Sequence, residues 1–419
     1  MEKNNVLVVS HNSLDYGNAN GRSILNLIDF MDNQNVSHIS LFPNTSTYVV
    51  KNHLCLNETN ILFKRIANTK NDSHRDGLGK KNRQISKIKN IVYHFLRKKT
   101  IKNIIRAVLW MRKKYIFKMI DSFVLDNKPN IIIYQVGDFF GLNEVVIHIS
   151  ELTNSHLILY FTEDYYLKGT QYFRPFGFGW KKYSSSFERL MCMCEYSIFS
   201  NNSLQTDFLR KFDVRSDVIY ISSDYPFSSN YTFKTNFNDL TIGYFGNLGL
   251  NRHKSILKVA KYFEEKYPNF VIDIFSSCTD RKLIRELKSK SNIRYNGYIE
   301  YNKLHNQMLK CDFLLLAEDT TKRNMKNLKY AFTTKIADYL STGIPIISIG
   351  NKDIEIIKYV TNNQISLHFD YLSKINLLSA DSIEIYTKLN KTAYNVFDSN
   401  HSKEKSQEKV KLILKSLNE

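Results

Sequence analysis

Short apolar runs, each followed by a stretch of helical spacing, recur along the chain and restrict what it can fold into. Asn5–Ser10, Val36–Phe42, Asn130–Tyr134, His156–Phe161, Tyr196–Ser200 and Asp217–Ser222 are such runs in the first half, and Leu240–Phe245, Phe270–Phe275, Ile293–Tyr295, Phe313–Leu316 and Ile346–Ile349 in the second. Helical patterns follow several of them: Ser23–Asp32, Ser186–Glu195, Ser255–Lys266, Arg281–Ser289, Tyr301–Lys310, Thr334–Thr342 and Ser402–Leu417. Near-continuous Val/Ile/Leu runs suit strands covered on both faces. Strand, crossover helix and parallel strand form right-handed units of a parallel sheet. At 419 residues two such domains are expected, 1–222 and 223–395, with the polar segment Ser222–Asp239 as linker. A helix over 396–419 can return to either domain through Val410, Leu412 and Leu414.

Tyr330–Gly350 shows the local logic most clearly. Thr333 or Thr334 can cap a helix whose apolar face is Ile336, Ala337 and Leu340. Gly343 ends it, Pro345 blocks its continuation, and Ile344–Ile349 is a buried strand. Lys335 falls in the first turn, against the helix dipole, with Asp338 one turn on. Two readings stand: a surface helix with an i, i+3 salt bridge, or a cation and a carboxylate set for a phosphate and a sugar hydroxyl.

Charge is the strongest compositional feature. The net charge is +19, and Lys64–Lys118 holds 18 Lys or Arg against Asp72 and Asp76, so +16 of it lies in that segment. Its apolar stripes, from Ile85 to Leu109, carry lysines and arginines on other faces, with Trp110 and Tyr115 nearby. A basic amphipathic segment suits an anionic membrane surface. Nucleic acid is the competing partner, without a recognised motif, and a solvated domain helix is the plain alternative. Five cysteines form no framework, which suits a reducing cytoplasm. Cys192-Met-Cys194 lacks a second ligand pair and reads as helix-borne core, so no metal site is assigned. The start carries no signal peptide and no run is long enough to span a bilayer, so the expected place is the cytoplasm, peripheral on the inner face of the membrane.

Ligands of open parallel sheets gather at the C-terminal strand ends, which selects three loops. His11–Gly21 carries Gly17 and Gly21, either as turn residues or for close approach to a ligand. Glu163 and Asp164, after His156–Phe161, are acid/base candidates. The loop after Leu240–Phe245 holds Gly246, Asn247, Gly249, Arg252 and Lys254, where glycines admit a phosphate and cations neutralise it. With Lys335 on the same sheet edge, two anion sites suggest a diphosphate. No Gly-x-Gly-x-x-Gly fingerprint supports a dinucleotide.

On these residues the chain resembles the GT-B glycosyltransferases, in particular the retaining glycosyltransferase family 4. The similarity is strong from Leu240 to Gly350 and diffuse before Ser200. It implies two Rossmann-like parallel-sheet domains facing a central cleft, and a nucleotide-diphosphate sugar as substrate rather than any cofactor. In the terms of that family, Gly246-Asn247 with Lys254 is the diphosphate turn, with Asn247 where the family has Arg and Arg252 in its stead. Asn296-Gly297-Tyr298-Ile299 holds the nucleobase, Thr334-Lys335 precedes the helix, and Asp338 contacts the ribose. Tyr330 stands where the family carries its first acid, and Glu163 where it carries an active-site His. Gly21 would lie beside the diphosphate. Arg252, Lys254 and Lys335 would stabilise the leaving group in place of a metal, since no Asp-x-Asp occurs. Transfer with retention to a glycan or polyprenol-linked acceptor of a bacterial surface polysaccharide follows from the resemblance. A nucleotide-sugar-binding protein or epimerase is the rival, favoured by Tyr330 and Asn247.

Overall fold

The computed structural model describes residues 4–42, 48–56, 110, 113–169, 178–228, 239–267, 269–321, 324–369 and 382–419. The chain forms two compact units. The first is Met1–Phe161, Tyr165–Ile198 and Phe212–Ser216; the second is Thr162–Asp164, Phe199–Lys211 and Asp217–Glu419. Three short pieces ahead of Ser222 thus group with the second unit, as does the whole C-terminal helix. The basic segment 64–118 lies outside the described residues except for 110 and 113–118.

The first sheet contains β1 (Val6–Ser10), β2 (Val36–Ser40), β3 (Asn52–Cys55), β4 (Ile131–Gln135), β5 (His156–Phe161), β6 (Tyr196–Phe199) and β7 (Ser216–Val218), in the order β3-β2-β1-β4-β5-β6-β7. Val6 pairs in parallel with Val36 on one side and Ile131 on the other. All five residues of β1 are buried, as the continuous apolar run requires of a central parallel strand. The helices are α1 (Ala19–Ile28), α2 (Lys113–Asn127), α3 (Phe140–Thr153), α4 (Phe178–Met193) and α5 (Asn202–Leu209). Helix α1 begins four residues before Ser23, because the Asn18 side chain accepts from the Asn20 N–H and caps it there.

The second sheet contains β8 (Thr241–Phe245), β9 (Val271–Phe275), β10 (Ile293–Gly297), β11 (Phe313–Ala317), β12 (Ile346–Ile349) and β13 (Ser366–Phe369), in the order β10-β9-β8-β11-β12-β13. Every described pairing in it is parallel. Its helices are α6 (Arg252–Lys266), α7 (Arg281–Lys288), α8 (Tyr301–Met308), α9 (Met325–Leu328), α10 (Lys335–Ser341), α11 (Glu355–Asn362), α12 (Ser382–Val396) and α13 (Lys403–Asn418). Strand β11, Phe-Leu-Leu-Leu-Ala, is buried throughout, and each such large apolar side chain contributes about 1.5–3 kcal/mol.

Two local expectations are corrected. Thr334 is the N-cap of α10, but its hydroxyl makes no capping bond and its backbone is already helical. In α13 the buried apolar residues are Val410, Ile413, Leu414 and Leu417, while Leu412 is 62% exposed. A helix buries residues three and four apart, which Val410 and Leu412 are not.

Both sheets change direction of winding once. In the first, the connections run outward from β1 through β2 to β3 and then return to β4 on its other side. In the second they run from β8 through β9 to β10 and return to β11. The loops after β1 and β4, and after β8 and β11, therefore flank the two switch points where such sheets bind ligands.

Candidate functional site

At the second switch point the chain leaves β8 through Gly246-Asn247. Gly246 has φ +140, a backbone state that L side chains rarely adopt, and a Cβ there would stand 3.0 Å from the Lys335 Nζ. The lysine amine therefore packs directly onto this turn. On its other side Lys335 Nζ sits 4.4 Å from the centre of the Tyr244 ring and 3.4 Å from its hydroxyl. Tyr244 OH donates to the Asn247 carbonyl at 2.6 Å, and the Asn247 side chain accepts from the Gly249 N–H at 2.6 Å. The turn is thus tied at both ends, with Asn247 itself exposed.

Arg252, the first residue of α6, donates through Nε to Glu318 Oε2 at 2.9 Å. Glu318 follows β11 and is fully buried. Its neighbour Asp319 accepts from Asn251, Asn324 and Thr321, which joins the two loops of the switch point. The Ser255 hydroxyl donates to the Glu318 carbonyl at 2.6 Å.

The electrostatics follow from this enclosure. Burial, then the nearby positive charge of Arg252, lowers the Lys335 pKa to about 7, with Glu318 acting in the opposite sense. Lys335 as a whole is half-buried; its ammonium is the enclosed part, between the Tyr244 ring and Gly246. For Arg252 burial opposes the charge, but Glu318 outweighs it and the pKa is raised. Among the described residues Lys335 forms no ion pair.

The structure therefore brings together Gly246, Asn247, Arg252 and Lys335 of the expected residues. Thr334 lies next to them at the helix start and is half-buried. Lys254 stands two residues beyond Arg252, exposed and without an ion pair among the described residues. Tyr298 follows the edge strand β10 and is 68% exposed, a free aromatic face just after Gly297 at φ +78. Asp338 turns inward: it is buried and accepts from Ser223 OG at 3.0 Å. Glu163 is exposed and Asp164 is buried. Gly21 meets its own chain, since a Cβ would lie 2.5 Å from the Ser13 carbonyl and 2.6 Å from the Asp15 nitrogen. Tyr330, at the position of the family's first acid, donates to Asp207 Oδ2 at 2.6 Å, and Lys329 Nζ bonds both groups at 3.0 and 2.7 Å.

Sequence reasoning missed Glu318 and Tyr244. An acidic pair, Glu318-Asp319, directly after a buried strand is the same signal that selected Glu163-Asp164. The other switch point also holds a pair it passed over: His11 Nε2 lies 3.6 Å from Asp138 Oδ1. Gly137 makes room for that ring, for a Cβ would come within 2.0 Å of it.

Among solved structures the chain is similar to HepE of Anabaena in complex with UDP and glucose, at 9% identity and TM-score 0.54, over 98% of this chain and 99% of that one. It is similar to the trehalose-6-phosphate synthase OtsA at 9% identity and TM-score 0.61, over 99% of each chain. An α,α-trehalose-phosphate synthase from Burkholderia xenovorans, in complex with glucose-6-phosphate, matches at 8% identity and TM-score 0.59, over 99% of this chain and 100% of that one. At these identities the likeness shows the fold, which is GT-B. Residues 244–410 match the family model of the glucosyltransferase 3-like C-terminal domain. No curated protein matches the chain. The fold is thus that of the GT-B glycosyltransferases, and the matched domain lies within its second half.

Proposed function

We propose that the chain transfers a sugar from a nucleotide-diphosphate donor to a glycan or polyprenol-linked acceptor, without a metal and with retention at the anomeric carbon. The observation that carries the donor assignment is the pair of cations at the β8/β11 switch point: Lys335 packed on the Gly246 turn, and Arg252 held by the buried Glu318. Breaking the anomeric C–O bond leaves negative charge on the diphosphate, and enclosed cations stabilise that charge far better than they would in water. Lys254 adds an exposed cation on the approach, and Asn247 offers an amide at the turn. Tyr298 offers a face on which a nucleobase stacks. Glu163 and Asp164 are assigned to sugar or acceptor hydroxyls.

UDP-glucose is the first donor to try, because HepE was captured with UDP and glucose and the matched domain is named for a glucosyltransferase. UDP release by the full chain, with and without a chelator, tests donor and metal independence together. Lys335→Ala and Lys254→Ala should each reduce turnover by tenfold or more, about 1.4 kcal/mol of transition-state stabilisation. Near-normal turnover in both variants rejects the diphosphate assignment.

We further propose that the basic segment 64–118 docks the enzyme on the inner leaflet, so that a lipid-linked acceptor is met at the surface. The charge carries this reading, +16 in that segment. Among the described residues no helix is long and apolar enough to cross a membrane. Flotation with vesicles containing anionic lipid should recover the chain at low salt and lose it at high salt. Equal recovery with neutral vesicles would count against it.

A further inference from the structure

The proposed donor site, on which this inference rests, encloses two cations and one carboxylate. Glu318 spends one oxygen on Arg252; its Oε1 is buried and makes no hydrogen bond. Arg252 spends only Nε, at 2.9 Å, and neither of its Nη groups forms a hydrogen bond or ion pair among the described residues. Lys335 has the Tyr244 ring and hydroxyl but no carboxylate within ion-pair distance. A guanidinium held by its Nε edge keeps its two-nitrogen fork available for a second oxyanion. A buried carboxylate is costly unless it is both paired and hydrogen-bonded, and Glu318 is paired through one oxygen only.

We infer that Glu318 is a positioning residue for the donor: it fixes Arg252 through Nε with both Nη groups left for the diphosphate, and it keeps enough negative charge beside Lys335 for that lysine to take up a proton as the donor arrives. Among the described residues, three groups on other elements act on Lys335. Tyr244 of β8 gives its ring and hydroxyl, Arg252 of α6 opposes the proton, and Glu318 after β11 favours it. On its own helix, Asp338 is bonded to Ser223, and the Tyr339 hydroxyl donates to the Leu315 carbonyl. Without donor, burial and Arg252 both act against the charge, so the amine is about half neutral at pH 7 and mostly neutral above it. The diphosphate reverses that balance. A salt bridge that merely ties β11 to α6 would hold the fold without coupling donor binding to protons.

Calorimetry of UDP-glucose binding to the full chain separates these cases. This donor has no group that titrates between about pH 6 and 8.5, and two buffers of different ionisation enthalpy give the protons taken up. The wild type should take up close to one proton at the upper end of that range and almost none at the lower end. Lys335→Ala should lose the uptake. Glu318→Gln should bind about tenfold more weakly, the effect of misplacing one charge-assisted hydrogen bond. Its affinity should also begin to fall at lower pH than in the wild type, since Lys335 loses its only favourable neighbour. Glu318→Asp should restore the wild-type pH profile. Should Glu318→Gln fail to fold, Arg252→Lys keeps the charge without the fork, and should bind more weakly with proton uptake retained. Wild-type affinity and uptake in Glu318→Gln, or in its absence wild-type affinity in Arg252→Lys, overturns the inference. So does binding by the wild type without uptake. No binding or turnover of UDP-glucose by the wild type overturns the donor reading itself and this inference with it, a result visible before any substitution.

Discussion

At the scale of the residue, Tyr330 separates packing from chemistry. Its position is that of an acid in the resembled family, yet its hydroxyl donates to Asp207 beside Lys329. Burial works against the Asp207 charge, but the bonds from Lys329 and Tyr330 prevail and hold its pKa below the usual carboxylate range. Tyr330→Phe should therefore cost about 1 kcal/mol of stability, one hydrogen bond to a charged group, and leave UDP-glucose affinity unchanged. Paired denaturation and binding measurements decide the matter; a tenfold loss of affinity at unchanged stability would place Tyr330 in the donor site. The cations Arg252 and Lys335 were legible because lysine or arginine beside a strand-end glycine is unusual enough to notice. Glu318 was not, because its meaning depends on what approaches it across the sheet edge. The surroundings of Asp338 were not legible for the same reason: helical spacing puts it on the side of Lys335, and only packing gives it Ser223 as a partner.

At the scale of the element, strands were read almost residue for residue where they are central, since buried parallel strands have no polar face to blur their limits. β5, β12 and β11 agree with the apolar runs to within a residue. Helices α3, α5, α9, α11 and α12 were not foreseen. Helix α3 is buried at eight of its 14 residues, and its less buried face is a narrow stripe of Glu144, His148 and Glu151 among a long apolar run. The β1–α1 loop shows a second reason for a glycine. Gly21 was open to two readings, a turn residue or a close approach to a ligand; the contact is with Ser13 and Asp15 of its own loop. Three backbone atoms within 3.0 Å of the added carbon cannot swing aside as a side chain could. Gly21→Ala should thus destabilise the first unit by about 2–3 kcal/mol through overpacking. The two tryptophans, Trp110 and Trp180, both belong to that unit, so the midpoint of urea unfolding by their fluorescence reads it alone. An unshifted midpoint would mean that the loop yields.

At the scale of the whole molecule, the same winding appears twice, and each switch point gathers ionisable groups, but the two units differ in what lies in their cores. In the second unit Arg252, Glu318 and Lys335 are gathered at the sheet edge. The first unit buries titratable groups within the sheet itself. His38 of β2 and His53 of β3 stack at 5.0 Å with rings 17° apart. His38 Nε2 is bonded to Ser10 OG at 2.9 Å, and His53 Nε2 to Ser40 OG at 2.8 Å. Each ring's Nδ1 is buried without a hydrogen-bond partner, so a proton placed there finds no acceptor and faces the other imidazole. Burial, and then His53, holds the His38 pKa well below its ordinary value; burial lowers that of His53 to about 4. Both groups are depressed in the folded state and ordinary when unfolded. Their contribution to stability is therefore whole above about pH 6.5 and is lost as pH falls toward 4. For His53 alone the loss is on the order of 3 kcal/mol at full protonation of the unfolded chain, from about 1.4 kcal/mol per pKa unit. Tryptophan-detected urea midpoints should fall steeply between about pH 7 and 5, above the range where carboxylates titrate. His53→Phe keeps a stacked ring without a titrating group; it lowers stability at pH 7 through the lost Ser40 bond but should flatten the slope. If the variant loses stability with acid as steeply as the wild type, the buried pair is not the acid-sensitive element of the first unit.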